Sequence, residues 1–527
     1  MERTNATDRD AARSSMMPLR RAEFLKLLGG AAFGLAYAVG GTTTALAEGG
    51  TLTVGISSDI KTLDPHLSSL DVFRHTIRST VFEALTFIDP DTLQPVPALA
   101  KSWEVAPDNL SVTFKLQDGV KWHDGSAFTA GDVVFTLKRV MDPKTASVLA
   151  PQVASVADVT AVDPGTVRVT LKATTPGILA NLATVQIVNP KNIDAITTKP
   201  IGTGPFKFAD WTPGDHIRVE RFADYRIAGL PLLEAIEWRI VPDSQARLSG
   251  LQDGSLQLVA LVEGRDVKQA QTIPDVQIIS TKPYVLYEMF NVNTQRAPFS
   301  DKRVRQALSY AFDRESYVKT VWFGLARATA NPVPPEMPTY WPEAAKAYPF
   351  DLAKAEALLA EAGFSKANPL KMEILTPAGF ESLKSMALLL QDNLNRIGHQ
   401  VTVRELEITV WIDTFVTKKE FDITTDNYNT VPEDPAGMFN SSNLAPGGND
   451  NGFVSPAYAD LVAKAMSEVD PDKRKALYQD LQKFLLDEMP MITIDHLPLF
   501  FLGAPGFSGF VIGPSGIDSY AKVTLGS

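Results

Sequence analysis

The side chains that most often carry catalysis or bind metals are few in this chain and poorly spaced for either task. The 527 residues include no Cys and six His, and no two His stand four residues apart as they do in a helical metal site. The serine elbow, the zinc-protease helix motif and the lysine-bearing phosphate loop are all missing. We therefore expect no metal, no cofactor and no thiolate chemistry.

Two other patterns resemble reactive sites only in part. The stretch Ile201-Gly202-Thr203-Gly204-Pro205-Phe206 has two glycines, as a phosphate loop does, but it lacks the Lys and the third Gly, and its proline stops a helix from starting there. We interpret it as a tight turn leading into a strand. The acidic pair Glu433-Asp434 stands before a proline, which is more typical of a turn than of a catalytic dyad.

One cluster of polar side chains is better suited to binding. Asp426, Asn427, Tyr428 and Asn429 follow Phe421-Asp422-Ile423-Thr424-Thr425, which we predict to be a strand. Amides and a phenol at a strand end can hydrogen-bond a polar ligand, so we take Asn427, Tyr428 and Asn429 as candidate ligand contacts. A simple Asn-rich turn is the alternative interpretation.

The elements that would position such a cluster are legible in the same region. Leu370, Met372 and Ile374 alternate as a strand, and an apolar stripe from Leu383 to Ile397 then predicts a helix that ends at Gly398. Val401-Thr402-Val403 resumes a strand. A strand–helix–strand unit of this length predicts parallel neighbours with a binding cleft at their carboxyl ends.

Other elements are indicated by alternation, caps and glycine stops. Short strands separated by turns dominate residues 89–199. Asp301 and Asp351 are the predicted N-caps of two helices. The remaining clear predictions are a strand over residues 50–56, helices over 72–85, 130–141 and 244–253, and strands over 217–220 and 236–241.

Length and charge restrict the class of protein. The chain is too long for a single core, so two or three domains are expected. Its net charge is −11, with no run of Lys and Arg, which argues against a nucleic-acid partner. Beyond the amino terminus, no apolar stretch reaches the roughly 18 residues needed to span a bilayer.

The amino terminus has the features of an export signal. Arg20-Arg21 precede a soft apolar run over residues 27–39, and Ala45-Leu46-Ala47 supplies small residues for a signal peptidase. We predict cleavage after Ala47; an uncleaved anchor is the alternative. The paired arginines resemble a twin-arginine signal, although two residues instead of one separate them from Phe24, so the export route stays open.

Eight segments, in order along nearly the whole mature chain, resemble the extracytoplasmic solute-binding proteins of ABC importers, family 5 (the dipeptide/oligopeptide class). The segments are Leu63-Asp64-Pro65, residues 98–103, 116–125 and 130–136, Gly202-Thr203-Gly204-Pro205-Phe206, Phe290-Asn291-Val292-Asn293 with Pro298-Phe299, and residues 301–314 and 348–364.

The resemblance implies an α/β, two-lobe periplasmic-binding-protein-like fold (type II, cluster C) with an additional β-rich domain on the first lobe. The first lobe would comprise residues 48–88, 200–285 and 498–527, the β-rich insertion residues 89–199, and the second lobe residues 286–497. The crossings between the lobes would lie near Pro283-Tyr284 and Leu497-Pro498, where our own pattern also changes.

Further ligand contacts are implied by the resemblance alone. Trp411 matches a position at which peptide-binding members place a Trp in the cleft; a core Trp is the alternative. Asp71 and Phe73 match a first-lobe loop at the lip of the cleft, and Tyr287 lies beside a crossing.

The family resemblance implies a periplasmic importer subunit that captures a solute by hinge closure and delivers it to permease and ATPase subunits. Dipeptide-binding members use an acidic residue where this chain has Val431 and an Arg within what is here Thr376 to Phe380. Because both are missing, we do not expect a free dipeptide; longer peptides, sugars, opine-like compounds and other polar solutes stay open. We expect a monomer without enzymatic activity. A secreted hydrolase and a sensory or chaperone-like binder of the same fold are the alternatives.

Overall fold

The secondary structure follows the hydrophobic periodicity of the sequence along most of the chain. The computed structural model describes residues 49–68, 70–281, 286–429, 435–513 and 516–526, except for the side chains of Asp71 and Asn429. The expected leader, the first predicted crossing at Pro283-Tyr284, and Val431 and the Glu433-Asp434 pair lie outside the described residues.

The strands have the following bounds. They are β1 (Thr51–Ile56), β2 (Thr86–Ile88), β3 (Pro95–Pro97), β4 (Ala100–Val105), β5 (Ser111–Leu116), β6 (Val156–Asp163), β7 (Thr166–Leu171), β8 (Phe206–Thr212), β9 (His216–Arg221), β10 (Ala235–Ile240), β11 (Leu258–Val259), β12 (Gln277–Ser280), β13 (Leu286–Val292), β14 (Arg327–Ala328), β15 (Lys371–Pro377), β16 (Gln400–Leu406), β17 (Ile423–Asn429), β18 (Met491–Leu497) and β19 (Phe500–Gly503).

The α-helices have the following bounds. They are α1 (Asp71–Phe73), α2 (Ala130–Met141), α3 (Ile178–Ala183), α4 (Ser244–Asp253), α5 (Gly264–Ala270), α6 (Lys302–Tyr310), α7 (Arg314–Thr320), α8 (Leu352–Glu361), α9 (Glu381–Arg396), α10 (Ile408–Ile412), α11 (Ala436–Phe439), α12 (Pro456–Ser467) and α13 (Pro471–Glu488). Two π-helical segments, Arg74–Arg78 and Asp413–Thr417, directly continue α1 and α10.

The first lobe is built on a seven-stranded sheet, called sheet A, in the order β12-β19-β11-β1-β10-β9-β8. Its centre is parallel, since β1 pairs in parallel with both β10 and β11. Leu52 and Val54 of β1 are fully buried and pack in one cluster with Trp238 and Phe501. The chain returns to this sheet near its end through β19.

The second lobe is built on a six-stranded sheet, called sheet B, in the order β14-β18-β13-β17-β15-β16. The predicted strand–helix–strand unit is confirmed: β15 and β16 pair in parallel and α9 connects them. Along β13 the side chains alternate, with Phe290 and Val292 in the core beneath α6, α8 and α9. Tyr287 and Met289 point into the core beneath α12 and α13, so helices cover both faces.

A four-stranded antiparallel sheet, β4-β5-β7-β6, forms the additional β-rich part. It has its own core, in which α2 packs on β6 and β7, and Val133 and Leu137 of α2 share one apolar cluster with Phe114 of β5. The α2 helix begins with a capping box between Thr129 and Asp132.

Two chain segments connect sheet A to sheet B, one between β12 and β13 and the other between β18 and β19. They run side by side where they are described: the Thr281 N–H donates to the Leu499 carbonyl at 3.1 Å, and the Leu499 N–H donates to Thr281 Oγ1 at 2.9 Å. Two adjacent connections of this kind suit a hinge. The predicted residue boundaries of the lobes stay a prediction.

The predicted N-caps are confirmed, since Asp301 accepts the Arg303 N–H and Asp351 accepts the Lys354 N–H, both at 2.9 Å. The predicted helix over 72–85 is too long, because a long-range backbone hydrogen bond replaces the helical pattern at Val81. The Val81 carbonyl accepts the Gly204 N–H at 3.0 Å, and beyond it the chain leaves the helix for β2.

Among the described residues, none of the helices combines the length and the apolar content needed to cross a membrane.

Candidate functional site

Two tyrosines mark the end of sheet B that lies next to the crossings. Tyr287 and Tyr428 are directly opposite each other on β13 and β17, and their ring centroids are 5.9 Å apart. Tyr287 is fully buried and Tyr428 is half-buried. Burial raises the pKa of both phenols, so both remain protonated hydrogen-bond donors at neutral pH.

Asp426 lies on the same face of β17 as Tyr428. One carboxylate oxygen accepts the side-chain amide of Asn291 at 2.9 Å, and the other accepts the Asn427 N–H at 2.8 Å. Burial raises the pKa of Asp426 to about 7, and the nearby Asp450 carboxylate adds to the shift. The strand therefore carries a carboxyl group that titrates near neutrality, two residues from the candidate phenol.

Asn427 points to the opposite face of the sheet, where its neighbour on β13 is Glu288. Glu288 is almost fully buried, and its carboxylate accepts the Tyr317 hydroxyl at 2.6 Å and the Trp322 indole N–H at 3.1 Å. Burial raises the pKa of Glu288. Burial, followed by the Glu288 charge, raises the pKa of the adjacent Asp495 well above its usual range.

The first lobe approaches this strand end through the segment that contains α1. The positive charge of Arg74, the first residue of the π-helical segment, opposes the burial-driven rise in the pKa of Tyr428, so a first-lobe guanidinium lies within electrostatic range of a second-lobe phenol. Phe73 is fully buried in the core of sheet A, which gives it a packing role. The Asp71 side chain lies outside the described part.

Trp411 lies on α10 and packs against β15 and β17. It is 7% exposed and clusters with Leu375, Phe415 and Phe421, and its indole N–H donates to Thr424 Oγ1 at 2.8 Å. The ring is thus mostly core, with a small exposed edge. Contact between Trp411 and a ligand stays a prediction.

The structure brings some predicted residues together and separates others. Asn427, Tyr428 and Tyr287 are neighbours at one strand end, and Asn429 is in register with Leu286 beside them. The alternative Asn-rich turn is wrong, because β17 pairs with β13 through Asn429. Trp411 reaches the same strand only at Thr424, and Phe73 points into another core.

Sequence reasoning missed Arg74 and the acid pair Glu288–Asp495. Arg74 gave no signal, since a single basic residue in a short helix is usually solvated. The two acids did give a signal: each is the single carboxylate in a strand of mainly apolar residues, in Leu286–Val292 and Met491–Leu497.

The segment from Thr376 to Phe380 offers no cation in place of the missing Arg: Thr376 is fully buried, and Phe380 is partly exposed at the start of α9. In the described part of the chain, we find no group of three His, Asp or Glu side chains placed to hold a metal ion. The arrangement presents amides, phenols and mixed charges between two lobes, which is suited to holding a polar molecule.

Comparisons with known proteins agree with this architecture. The family model for bacterial extracellular solute-binding proteins, family 5 Middle, matches residues 94–450. The chain is 30% identical over 470 residues to Heme-binding protein A of Haemophilus influenzae, covering 81% of this chain and 84% of that protein.

Two solved structures are similar over nearly their full length. The periplasmic binding protein DppA from Helicobacter pylori, an ABC transporter-associated protein in complex with the peptide STSA, superposes with a TM-score of 0.80 at 25% identity, over 91% of this chain and 98% of that one. AgaA from A. tumefacien R10, in complex with agropinic acid, also gives 0.80, at 26% identity over 90% and 99%. The family match covers well over half of the sequence, and the chain belongs to the bacterial extracellular solute-binding proteins of family 5.

Proposed function

We propose that this protein is the solute-binding component of an ABC importer, which captures a small polar solute between its lobes and delivers it unaltered to a membrane permease. The observation that supports this most strongly is the pair of adjacent crossings between sheets A and B, combined with polar groups at the strand end beside them. A solute that contacts both lobes stabilises the arrangement in which they approach each other.

The solute we favour is peptide-like or another small polar metabolite, in preference to a free dipeptide. The similar proteins are described with ligands as different as heme, the peptide STSA and agropinic acid, so the family tolerates a wide range of ligands. Asn427 and Tyr428 would donate and accept hydrogen bonds on the second lobe. Arg74 would provide positive charge on the first lobe.

The proposed role also specifies the location, the oligomeric state and the partners of the protein. The mature protein would be a periplasmic monomer, released by cleavage after Ala47, with the permease and ATPase subunits of the importer as partners. It would bind its solute without catalysing a reaction. The similar protein from Helicobacter pylori is described as associated with an ABC transporter, which supports this assignment.

The test is to incubate purified mature protein with a cell extract, wash and denature it, and identify the released compounds by mass spectrometry. An importer subunit should release one saturably bound compound in unaltered form. Conversion of that compound on prolonged incubation would instead indicate a hydrolase, and failure to retain any compound would contradict the proposal.

The site itself is tested with Tyr428→Ala. Loss of a half-buried ring that touches the solute should weaken its affinity about tenfold or more. Tyr310→Ala, which removes a half-buried ring on α6, is the matched control and should leave affinity unchanged. Equal affinities for the two variants would remove Tyr428 from the proposed site.

A further inference from the structure

A cavity of about 200 Å³ lies between the two lobes, on the face of sheet B to which Asn427 and Glu288 point. Its first-lobe wall is the start of α5, and its second-lobe wall combines the end of α7 with the start of α9. The lining includes Glu263, Arg265, Trp322, Phe323, Glu381 and Ser382. At about 30 Å³ per water molecule, the volume has room for a group of several heavy atoms.

Carboxylates reach this cavity from both lobes. Glu263 comes from the first lobe, and among the described atoms its side chain makes no capping bond to α5, although it occupies the N-cap position. Glu381 comes from the second lobe and is exposed. Burial raises the pKa of Glu263, and the charges of Asp266, Glu288 and Glu381 add to that shift while Arg265 opposes it.

Arg265, the basic residue that lines the cavity, interacts with groups of its own lobe. The Arg265 side chain is 61% exposed, its Nε lies 3.7 Å from Asp266 Oδ1, and its Nη2 lies 3.5 Å from Ser244 Oγ. Both partners belong to the first lobe, so the Arg265 charge is shared with Asp266. Among the charged residues that line the cavity, two carboxylates, Glu263 and Glu381, thus stand against one cation whose charge is partly offset by Asp266.

Aromatic rings complete the walls. Trp322 and Phe323 line the cavity, and Phe323 is 45% exposed. The Trp322 indole N–H donates to the Glu288 carboxyl at the edge of the ring, which fixes the orientation of the ring. An electron-rich ring flanked by carboxylates is the environment that proteins use to hold ammonium and guanidinium groups.

We propose that this cavity is a subsite for a cationic group of the solute, a primary ammonium or a guanidinium. The proposal rests on the proposed function, because it names the charge class of the captured solute. Glu263 and Glu381 belong to different lobes, so a cation between them binds best when the lobes are together. Its binding would favour closure and relieve the repulsion between the two carboxylates.

The test uses n-butylammonium as the cationic probe and n-butanol as its neutral analogue, at constant ionic strength, with binding to the mature protein followed by saturation-transfer NMR. Butylammonium should bind saturably and butanol at least about tenfold more weakly. Glu263→Gln and Glu381→Gln should each raise the Kd of butylammonium about tenfold, the loss expected for one charge-assisted contact.

Glu104→Gln, on exposed strand β4 of the additional sheet, is the matched control and should leave the Kd unchanged. Equal binding of butanol and butylammonium, or unchanged binding by the double variant Glu263→Gln/Glu381→Gln, would overturn the proposal. If the double variant still retained the solute from the extract with wild-type affinity, the cavity proposal would fail while the importer role stood. Failure of the wild type to retain any solute would instead be a failure of the proposed function.

Discussion

Asp426 shows how a single residue couples the candidate site to pH. Its carboxyl is held by Asn291 and by the Asn427 N–H in a poorly solvated position, and burial raises its pKa to about 7. An unfolded Asp titrates near pH 4. Between about pH 4 and pH 7, the folded protein therefore binds one proton more at Asp426 than the unfolded chain does. The stabilisation that comes from this protonated carboxyl is complete below about pH 4 and is lost as the pH rises through 7.

Asp426→Asn should therefore flatten the dependence of stability on pH. In the wild type, the free energy of unfolding should fall between pH 5 and pH 8. In the variant this fall should be smaller by about 1–2 kcal/mol, a figure that allows for partial solvation of the carboxyl. Urea unfolding at the two pH values measures this difference. The exposed Asp194→Asn should follow the wild type, and parallel curves for all three proteins would contradict the raised pKa.

Trp411 is the residue for which packing and ligand contact make different predictions. Its ring packs in a small cluster with Phe415 and Phe421, and its indole N–H donates a hydrogen bond to the Thr424 hydroxyl. Trp411→Ala should lower the free energy of unfolding by about 3–5 kcal/mol, because it leaves a cavity in that cluster. Chemical denaturation measures the loss.

The affinity of the same variant decides whether the exposed edge of the ring is also used. If the ring contacts the solute, Trp411→Ala should weaken binding by about 1–3 kcal/mol in addition to its effect on folding. Trp411→Phe keeps most of the volume and should recover much of the stability. Wild-type affinity in a destabilised Trp411→Ala protein would restrict this residue to the core.

At the scale of elements, the turn before β8 is fixed by contact between backbones. The predicted turn leading into a strand is confirmed, since β8 begins at Phe206. Gly202 and Gly204 lie against Val81: a Cβ on Gly202 would be 1.8 Å from the Val81 carbonyl oxygen, and one on Gly204 would be 2.9 Å from that oxygen. The glycines are needed for this close approach, which leaves no space for a phosphate group.

Gly202→Ala should destabilise the first lobe by at least about 2 kcal/mol, because the obstructing atoms are backbone and cannot rotate away. Thermal unfolding monitored by circular dichroism measures the effect. Gly447→Ala is the control, since no described atom lies within 4 Å of its added Cβ, and it should change stability by less than about 0.5 kcal/mol. Similar melting temperatures for the two variants would refute the close approach.

Elements were predictable where the signal was local. The capped helices α6 and α8 and the unit β15–α9–β16 follow from periodicity, caps and glycine stops within a few residues. The end of the helix after Asp71 was not predictable, because Gly204, more than a hundred residues away, takes the Val81 carbonyl. The strand β17 likewise extends through Asn429 because β13 supplies its hydrogen bonds, which overrides the turn preference of Asn.

The candidate site was predictable only in part for the same reason. The polar strand end at Asn427 and Tyr428 is a contiguous pattern. The proximity of Glu263 to Glu381, or of Arg74 to Tyr428, depends on how the two lobes are placed relative to each other, and the members of each pair are far apart in sequence. Spacing along the chain carries no information on such a juxtaposition, so the acidic cavity became visible only in the structure.

At the scale of the whole molecule, one contact between the lobes leaves no room for a side chain at a glycine. Gly264, the first residue of α5, lies against Trp322: a Cβ at this position would be 2.9 Å from the indole Cε3 and 3.3 Å from the Trp322 Cα. Because the indole is tied to Glu288, the ring cannot easily move aside. The absence of a side chain at Gly264 therefore permits the close packing of the lobes at this point.

Gly264→Val should hold the lobes apart while leaving each of them folded. The solute identified from the extract should then bind about tenfold more weakly, because its contacts with both lobes are made only when they come together. Small-angle scattering with saturating solute should give a larger radius of gyration than that of the liganded wild type. Gly250→Ala is the matched control: its Cβ would meet Leu256 at 2.9 Å within the first lobe alone, so it should lower the melting temperature without changing affinity. If Gly264→Val had wild-type affinity and the radius of gyration of the liganded wild type, closure of the lobes would not depend on this contact.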